Sequence, residues 1–467
     1  MNDIRGYFEQ LMQKRKVVVE KHHSSLIDGF VNDEAIISAF NSIKNTQQAM
    51  IDKWKEKTQI EDIKSKQIVL TNGTVGRQYE FALDVTQVSD IIGDYYLSSS
   101  EETGLDLNKE ESKISGIPKV AGEFVLILNF KLKSETKDSP FHEKEIKLFI
   151  NNDPKSLWKN APTPSDIEYY KPDNDSTHFE FGSKQLVIGS KRGRSHAHEG
   201  KPRDDAFDFN YNEETGWGII AVADGAGSAK YSRKGSEIAC ETVVDFFKNI
   251  EKEKLNEIDT AIANLLVDDS EENQKRLSGL FIEQLGKAAF SAQQKIRVEA
   301  VGKNSEIRDY STTLIFALIK KYEHKYMIAS FWVGDGGIGI YDKDKNEVYV
   351  LGTPDSGEFA GQTRFLTMSE IFSDGAYANR VRFKIVDDFT ALILMTDGIT
   401  DPKFQTDANL NKIEKWNDLW KDLSEENEDN SIIDFTKPTG EIEIDLMNWL
   451  DFWSPGNHDD RTIAILY

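Results

Sequence analysis

The sequence predicts an α+β protein of more than one domain, and three observations carry that expectation. Residues 1–62 show helical periodicity, and residues 65–150 alternate apolar and polar side chains between turn residues. Residues 184–467 mix amphipathic helices with apolar strands, and 467 residues exceed what one ordinary core holds.

The first segment reads as a helical hairpin. Ile4, Phe8, Leu11 and Met12 fall on one helix face, and Ala35, Ile36, Ala39, Phe40 and Ile43 on another. Asn32-Asp33 between them suits the start of the second helix. Such a hairpin cannot bury both faces alone, so it is expected to pack on a neighbouring domain or a partner.

In residues 65–150, strands are expected at 67–70, 79–85, 113–118 and 121–128, with a turn at Asn72-Gly73. A polar connector follows at 151–183, carrying Pro154, Pro162, Pro164 and Pro172. Beyond it, residues 232–250 read as a helix with Ile238, Cys240, Val243, Phe246 and Phe247 inward, and residues 276–300 as a second. Helices and strands do not alternate one to one there. A mixed αβ sandwich therefore fits better than a doubly wound sheet.

Composition narrows the function. The net charge of −23 argues against nucleic acid or an anionic membrane as the main partner. Residues 1–64 carry ten basic and ten acidic side chains, so the excess lies downstream. The single Cys240 excludes an internal disulfide. Residues 1–16 lack the apolar core of a signal peptide, and no run is long enough to cross a bilayer, so a cytoplasmic protein is expected.

Three apolar runs in the last domain end in Asp-Gly: residues 218–225 at Asp224, 328–336 at Asp335 and 391–398 at Asp397. A fourth acidic pair, Asp459-Asp460, leads through Arg461-Thr462 into the apolar run 463–466. One Asp-Gly after a strand is ordinarily a turn. Three of them, after long apolar strands, read instead as carboxylates delivered to one place, an all-oxygen cage for hard divalent cations.

The order of motifs is distinctive: Arg194-Ser195-His196 and Asp204-Asp205, then Asp224-Gly225-Ala226-Gly227-Ser228, Ser311-Thr312-Thr313, Gly334-Asp335-Gly336, Asp397-Gly398-Ile399-Thr400-Asp401 and Asp459-Asp460-Arg461-Thr462. It resembles the metal-dependent type 2C, or PPM-type, protein phosphatases, in particular their bacterial branch. That resemblance implies a four-layer αββα sandwich and two ions, Mn²⁺ or Mg²⁺, with a weaker third site. It implies that Asp224 bridges two ions, that the carbonyl of Gly225 ligates one, that Asp397 and Asp459 complete the other and that Asp205 acts through water. Asp335 and Asp401, with Asp397, would form the third site. In such sites, cations roughly 3.5–4 Å apart activate a water and clamp the phosphoryl oxygens, without a phosphoenzyme.

Asp459 is preferred over Asp460 because Thr462 fixes the family's Asp-x-x-Thr register. Asp460 is then read as solvated or as a support behind the ligands, and Asp204 as a candidate for a water-mediated contact. Two positions depart from the family pattern. Ala226 stands where a His often does, and Gly200 where a phosphate-gripping Arg often does, leaving Arg194, His196 and His198 as nearby substitutes. Residues 353–380 occupy the place of the family's flap.

Residues 104–107, 114–118 and 121–124 resemble the bacterial immunoglobulin-like or cadherin-like β-sandwich repeat. That implies a spacer or docking module. The expected function is a serine/threonine protein phosphatase acting on phosphoproteins, with a cognate kinase, and with front domains that dock a protein partner. The competing expectations are a catalytically weak scaffold of the same fold, to which Ala226 and Gly200 point, and a phosphatase for small phosphoesters.

Overall fold

The computed structural model describes every residue except 1, 100–102, 109, 110, 112, 356–362, 426 and 428. The chain divides into two compact units, Met1–Leu157 and Trp158–Tyr467.

The first unit opens with three helices, α1 (Asn2–Lys14), α2 (Ser24–Val31) and α3 (Glu34–Ser65). The first arm of the expected hairpin is thus two helices rather than one, and Lys16, just past α1, sits in the left-handed region at φ 58°. Asp33 starts α3, its carboxylate accepting the Ala35 N–H at 2.9 Å. Among the described residues its strands are β1 (Gly73–Thr74), β2 (Tyr79–Ala82), β3 (Ile92–Ser99), β4 (Leu105–Asn108), β5 (Lys113–Gly116), β6 (Gly122–Leu132) and β7 (His142–Asn151). They form one sheet in the order β1-β7-β6-β3 and a second in the order β2-β5-β4. Both sheets contribute to one apolar cluster, with Tyr79 and Ile114 meeting Leu126, Leu128, Phe130 and Ile146, and with Ile60 and Ile63 of α3 joining them.

Two local expectations fail here. Residues 67–70 form no strand; only Leu70 is buried, and Val69 is 74 % exposed. Asn72-Gly73 is no hairpin turn, because Gly73 pairs in parallel with Ile150, far along the chain.

Among the described residues the second unit holds eleven strands: β8 (Asn174–Phe181), β9 (Lys184–Lys191), β10 (Ala206–Asn212), β11 (Trp217–Ala223), β12 (Leu314–Tyr322), β13 (Lys325–Val333), β14 (Gly337–Asp342), β15 (Glu347–Gly352), β16 (Val381–Val386), β17 (Ala391–Met395) and β18 (Arg461–Leu466). Its helices are α4 (Arg194–Glu199), α5 (Ser232–Lys248), α6 (Lys252–Val267), α7 (Glu271–Gly302), α8 (Asp397–Phe404), α9 (Ile413–Ser424) and α10 (Ile442–Trp449). Five strands pair antiparallel as β10-β11-β12-β13-β16, and six as β15-β14-β17-β18-β9-β8.

Side-chain alternation explains why the apolar runs are continuous. In β11, Ile219 and Ala221 pack with α5, α6 and α7, whereas Ile220 and Val222 join a cluster shared by the two sheets. In β17, Leu392 and Leu394 join that shared cluster, and Ile393 and Met395 pack with α8, α9 and α10. A strand buried on both faces has no polar side to show. The stretch read as a connector contains β8, hydrogen-bonded along its length to β9. Its sequence misleads because it is an outer strand with mostly unburied residues.

Candidate metal centre

Register brings the acids together. Ala206 at the start of β10 pairs with Ala223 at the end of β11, so Asp205 and Asp224 lie at the same edge. Met395 at the end of β17 pairs with Ile463 near the start of β18, and the Thr396 N–H donates to the Thr462 carbonyl at 3.0 Å. That places Asp397 beside the Asp459-Asp460 pair. Asp335 sits where the chain leaves β13 of one sheet and enters β14 of the other. None of the three Asp-Gly pairs closes a two-residue hairpin, and Asp397-Gly398 opens helix α8. Asp397 and Asp401, four apart on α8, share one face of it.

Two glycines let the segments approach. A Cβ on Gly398 would lie 1.9 Å from the Asp460 carbonyl oxygen, a contact no side chain tolerates. Gly334 has φ +115°, and a Cβ there would lie 2.5 Å from the Thr313 side chain.

Asp224, Asp335 and Asp397 each bring one carboxylate oxygen to within 4.8 Å of the others. The Asp224 backbone is pinned: its N–H donates to Thr313 Oγ1 at 2.9 Å, and its carbonyl accepts from Thr312 Oγ1 and Thr313 N, both at 2.8 Å. Thr312 and Thr313 are thus supports, and Gly225 bridges to Thr312. Asp205 is fully buried, its Oδ2 accepting from Thr396 Oγ1 at 2.9 Å and Thr462 Oγ1 at 2.7 Å. Thr363 Oγ1 donates to Asp335 Oδ2. The other oxygen of Asp205 and of Asp335, and one of Asp397, are buried without a hydrogen-bond partner.

Burial pushes the Asp224 carboxyl well above its ordinary value, and repulsion from Asp397, Asp205, Asp459 and Asp335 adds to it. Asp397 is raised well above in the same way, by burial and then by Asp335, Asp459, Asp205 and Asp401. Burial and the Asp460 charge push Asp205 up to about 7. Asp335, Asp401 and Asp459 are also raised, burial being the leading cause for each. Buried carboxylates that repel one another and lack donors are a site short of positive charge. Oxygen-only donors of this kind fit a hard divalent cation, so the residues present match the ions that the resemblance implies.

A second group is His196, Asp459 and Asp460, again with ligand atoms within 4.8 Å. Asp460, 1 % exposed, is not solvated. It accepts from Gly193 N at 2.6 Å, Asp204 N at 2.5 Å and His196 Nδ1 at 3.0 Å. Burial opposes its ionisation, yet the His196 bond and charge outweigh burial and hold it below the ordinary range. The same pairing, working against burial, raises His196 to about 9. Asp459 accepts the Asp460 N–H at 2.8 Å, and as a residue it is exposed. The His196 Nε2 lies 3.8 Å from Asp204, so both ring nitrogens face acids. Asp204 is raised to about 6 by burial, with repulsion from Asp460. Asp401 is exposed, and the Asn457 amide reaches its Oδ2 at 3.4 Å.

The substitutes for the missing Arg are engaged elsewhere. Arg194 donates to the carbonyls of Asp451 at 2.7 Å and Phe452 at 3.1 Å, and His198 Nδ1 accepts the Lys159 N–H at 3.1 Å. Ala226 is buried at 6 % exposure. Of the flap segment, residues 356–362 lie outside the described residues. Sequence reasoning missed Lys171, which is buried and donates to the Asp205 carbonyl at 2.9 Å. Nothing in the proline-bearing stretch around it marks it. Cys240 is fully buried beneath β10, as a core residue should be.

Among solved structures, the serine/threonine phosphatase Stp1 from Staphylococcus aureus is 13 % identical, with 64 % of this chain and 98 % of that one covered and a TM-score of 0.34. A serine/threonine phosphatase of S. agalactiae is 15 % identical, with 63 % and 99 % covered and a TM-score of 0.35. A bacterial serine phosphatase is 15 % identical, with 60 % and 96 % covered and a TM-score of 0.34. No curated protein matches the sequence. The family described as protein phosphatase 2C matches residues 192–437, more than half of the chain and all of the acids above except Asp459 and Asp460. On that match the chain belongs to the protein phosphatase 2C family.

Proposed function

We propose that this protein is a metal-dependent serine/threonine protein phosphatase whose ions, Mn²⁺ or Mg²⁺, are held by Asp224, Asp397, Asp459 and the Gly225 carbonyl. Asp205 contributes through water, and Asp335 with Asp401 serves a third, weaker ion. The observation that carries this reading is the convergence of Asp224, Asp335 and Asp397 around partnerless buried oxygens. When bound, such ions supply Lewis-acid activation of water and neutralise phosphoryl charge.

The chain's own residues do the positioning. Thr396 and Thr462 hold one oxygen of Asp205, which leaves the other for a ligand. Thr312 and Thr313 fix the Asp224 backbone, and Lys171 fixes the Asp205 carbonyl. His196 is offered as an anchor rather than as the leaving-group acid, because Asp460 and Asp204 engage its two nitrogens. Without that acid, an alkoxide leaves at a cost of roughly 10²–10⁴-fold in rate, and a phenolate at much less.

The helix, sheet, sheet and helix order of the apolar clusters supports the αββα arrangement. The two sheets of the first unit, closed on one core, support an immunoglobulin-like spacer or docking module. The substrate class is tested by comparing a phosphothreonine peptide, p-nitrophenyl phosphate and a nucleoside triphosphate, each with Mn²⁺. Turnover of the first two is expected. A preference for the nucleotide contradicts a protein substrate, and no turnover at all favours the scaffold reading.

A further inference from the structure

Helix α3 is 32 residues long, about 48 Å at 1.5 Å per residue. Only its C-terminal end reaches the core of the first unit, through Ile60 and Ile63. Near its start, Phe40 meets the Tyr7 ring of α1 at 5.3 Å. Between these anchors, residues 41–57 are exposed without interruption. Most helical stability in proteins comes from packing one apolar face rather than from propensity, and this stretch leaves its apolar residues exposed.

That stretch is not polar all round. Ile36, Phe40, Ile43, Gln47, Met50 and Trp54 follow one another at steps of four, three, four, three and four, the a/d spacing of a coiled coil. Met50 is 70 % exposed, Trp54 69 %, Ile51 49 % and Ile43 39 %. A surface with this period fits another helix of the same period rather than a sheet or a flat face.

We infer that α3 pairs antiparallel with α3 of a second copy of this chain, making the protein a homodimer. The sequence is self-complementary in that direction. With the two-fold axis between residues 48 and 49, Ile43 lies opposite Trp54 and Gln47 opposite Met50, each twice. Lys44 and Lys53 then share a level but lie on opposite flanks of the seam, Lys44 beside Ile51 and Lys53 beside Thr46. A parallel pair sets Lys57 against Lys57 and Trp54 against Trp54 on the axis, which disfavours it. At roughly 200 Å² per large side chain, the exposed fractions of Ile43, Met50, Ile51 and Trp54 come to about 450 Å² per chain. Two copies thus cover about 900 Å² of apolar surface, and the stems of Gln47, Lys53 and Lys57 bring the total towards the roughly 1,200 Å² of small stable interfaces. The inference does not depend on the catalytic reading.

The test is sedimentation equilibrium of the full chain at micromolar concentration. A mass of twice 53.1 kDa is expected, falling to 53.1 kDa in the Met50→Glu/Trp54→Glu variant, with hydrolysis of p-nitrophenyl phosphate unchanged. Glu is a good helix former, so far-UV circular dichroism should retain the helix signal. Cysteine cross-linking adds a second readout, since Cys240 is buried. The Ile43→Cys/Trp54→Cys double variant should form a covalent dimer on mild oxidation, and Ile43→Cys alone should not. A monomeric full chain, or a dimer indifferent to Met50→Glu/Trp54→Glu, overturns the inference. Cross-linking by Ile43→Cys alone overturns the antiparallel direction.

Discussion

With Asp397, Asp205, Asp459 and Asp335 around it, the half-buried Asp224 carboxylate stands among like charges, so its ionised form destabilises the metal-free chain. Asp224→Asn should therefore remove turnover by at least about 10³-fold, since several kcal/mol of charge stabilisation are lost. In EDTA the same variant should melt higher than wild type, by about 2 °C for each kcal/mol of repulsion relieved. Differential scanning calorimetry and a phosphatase assay on one preparation check both. The pH dependence follows the same logic. Asp204 and Asp205 keep protons up to about 6 and about 7 when folded, but release them near 3.9 when unfolded. The folded chain binds more protons across that window, so their contribution to metal-free stability is present below about pH 4 and is lost as pH rises to 7. Added Mn²⁺ should then raise the melting temperature more at pH 7.5 than at pH 5.5. His196 runs to higher pH: its stabilising charge is complete below about 6.5 and lost as pH rises through about 9. Asp460→Asn should return its titration towards 6.5, read by NMR of the ring protons. The sequence made Asp224, Asp335 and Asp397 visible because each follows a strand buried on both faces. It ranked Asp459 above Asp460 only through the register at Thr462, and gave no sign that Asp460 is the buried one, because adjacent residues on an extended segment point opposite ways and nothing local says which way is inward.

Among the elements, α8 does the most to assemble the site. Asp397 opens it, Asp401 lies one turn on, and Gly398 lets it abut the Asp460 carbonyl. Gly398→Ala should cost about 1–3 kcal/mol, the usual range for forcing a group into a packed site. It should also weaken Mn²⁺ binding measured by calorimetry, since α8 must move away from β18. Unchanged affinity would separate α8 from the metal centre. The Asp-Gly pairs looked like turns or ligands, and the sequence did not reveal that one begins a helix. Strand β8 was hidden for a different reason: outer strands lack the apolar alternation that betrays inner ones. The long helices α5 and α7 were legible, because their inward faces repeat over many turns.

At the level of the whole molecule, the acids lie in Trp158–Tyr467, whereas the front unit has its own core. Residues 158–467 alone should therefore hydrolyse p-nitrophenyl phosphate within about twofold of the full chain, because the acids and their supports are all retained. A collapse in kcat would show that the front unit takes part in catalysis. Shifts in periodicity marked where helical pattern gives way to alternation, but not the boundary after Leu157. The uncovered stripe of α3 was not readable either, because exposure belongs to the folded chain. The most direct test of the central claim follows Mn²⁺ binding and phosphothreonine-peptide turnover in the same samples, for wild type and Asp224→Asn. The account predicts that turnover rises with metal occupancy, ends with EDTA and is absent in the variant. Turnover that persists in EDTA or in Asp224→Asn would contradict it.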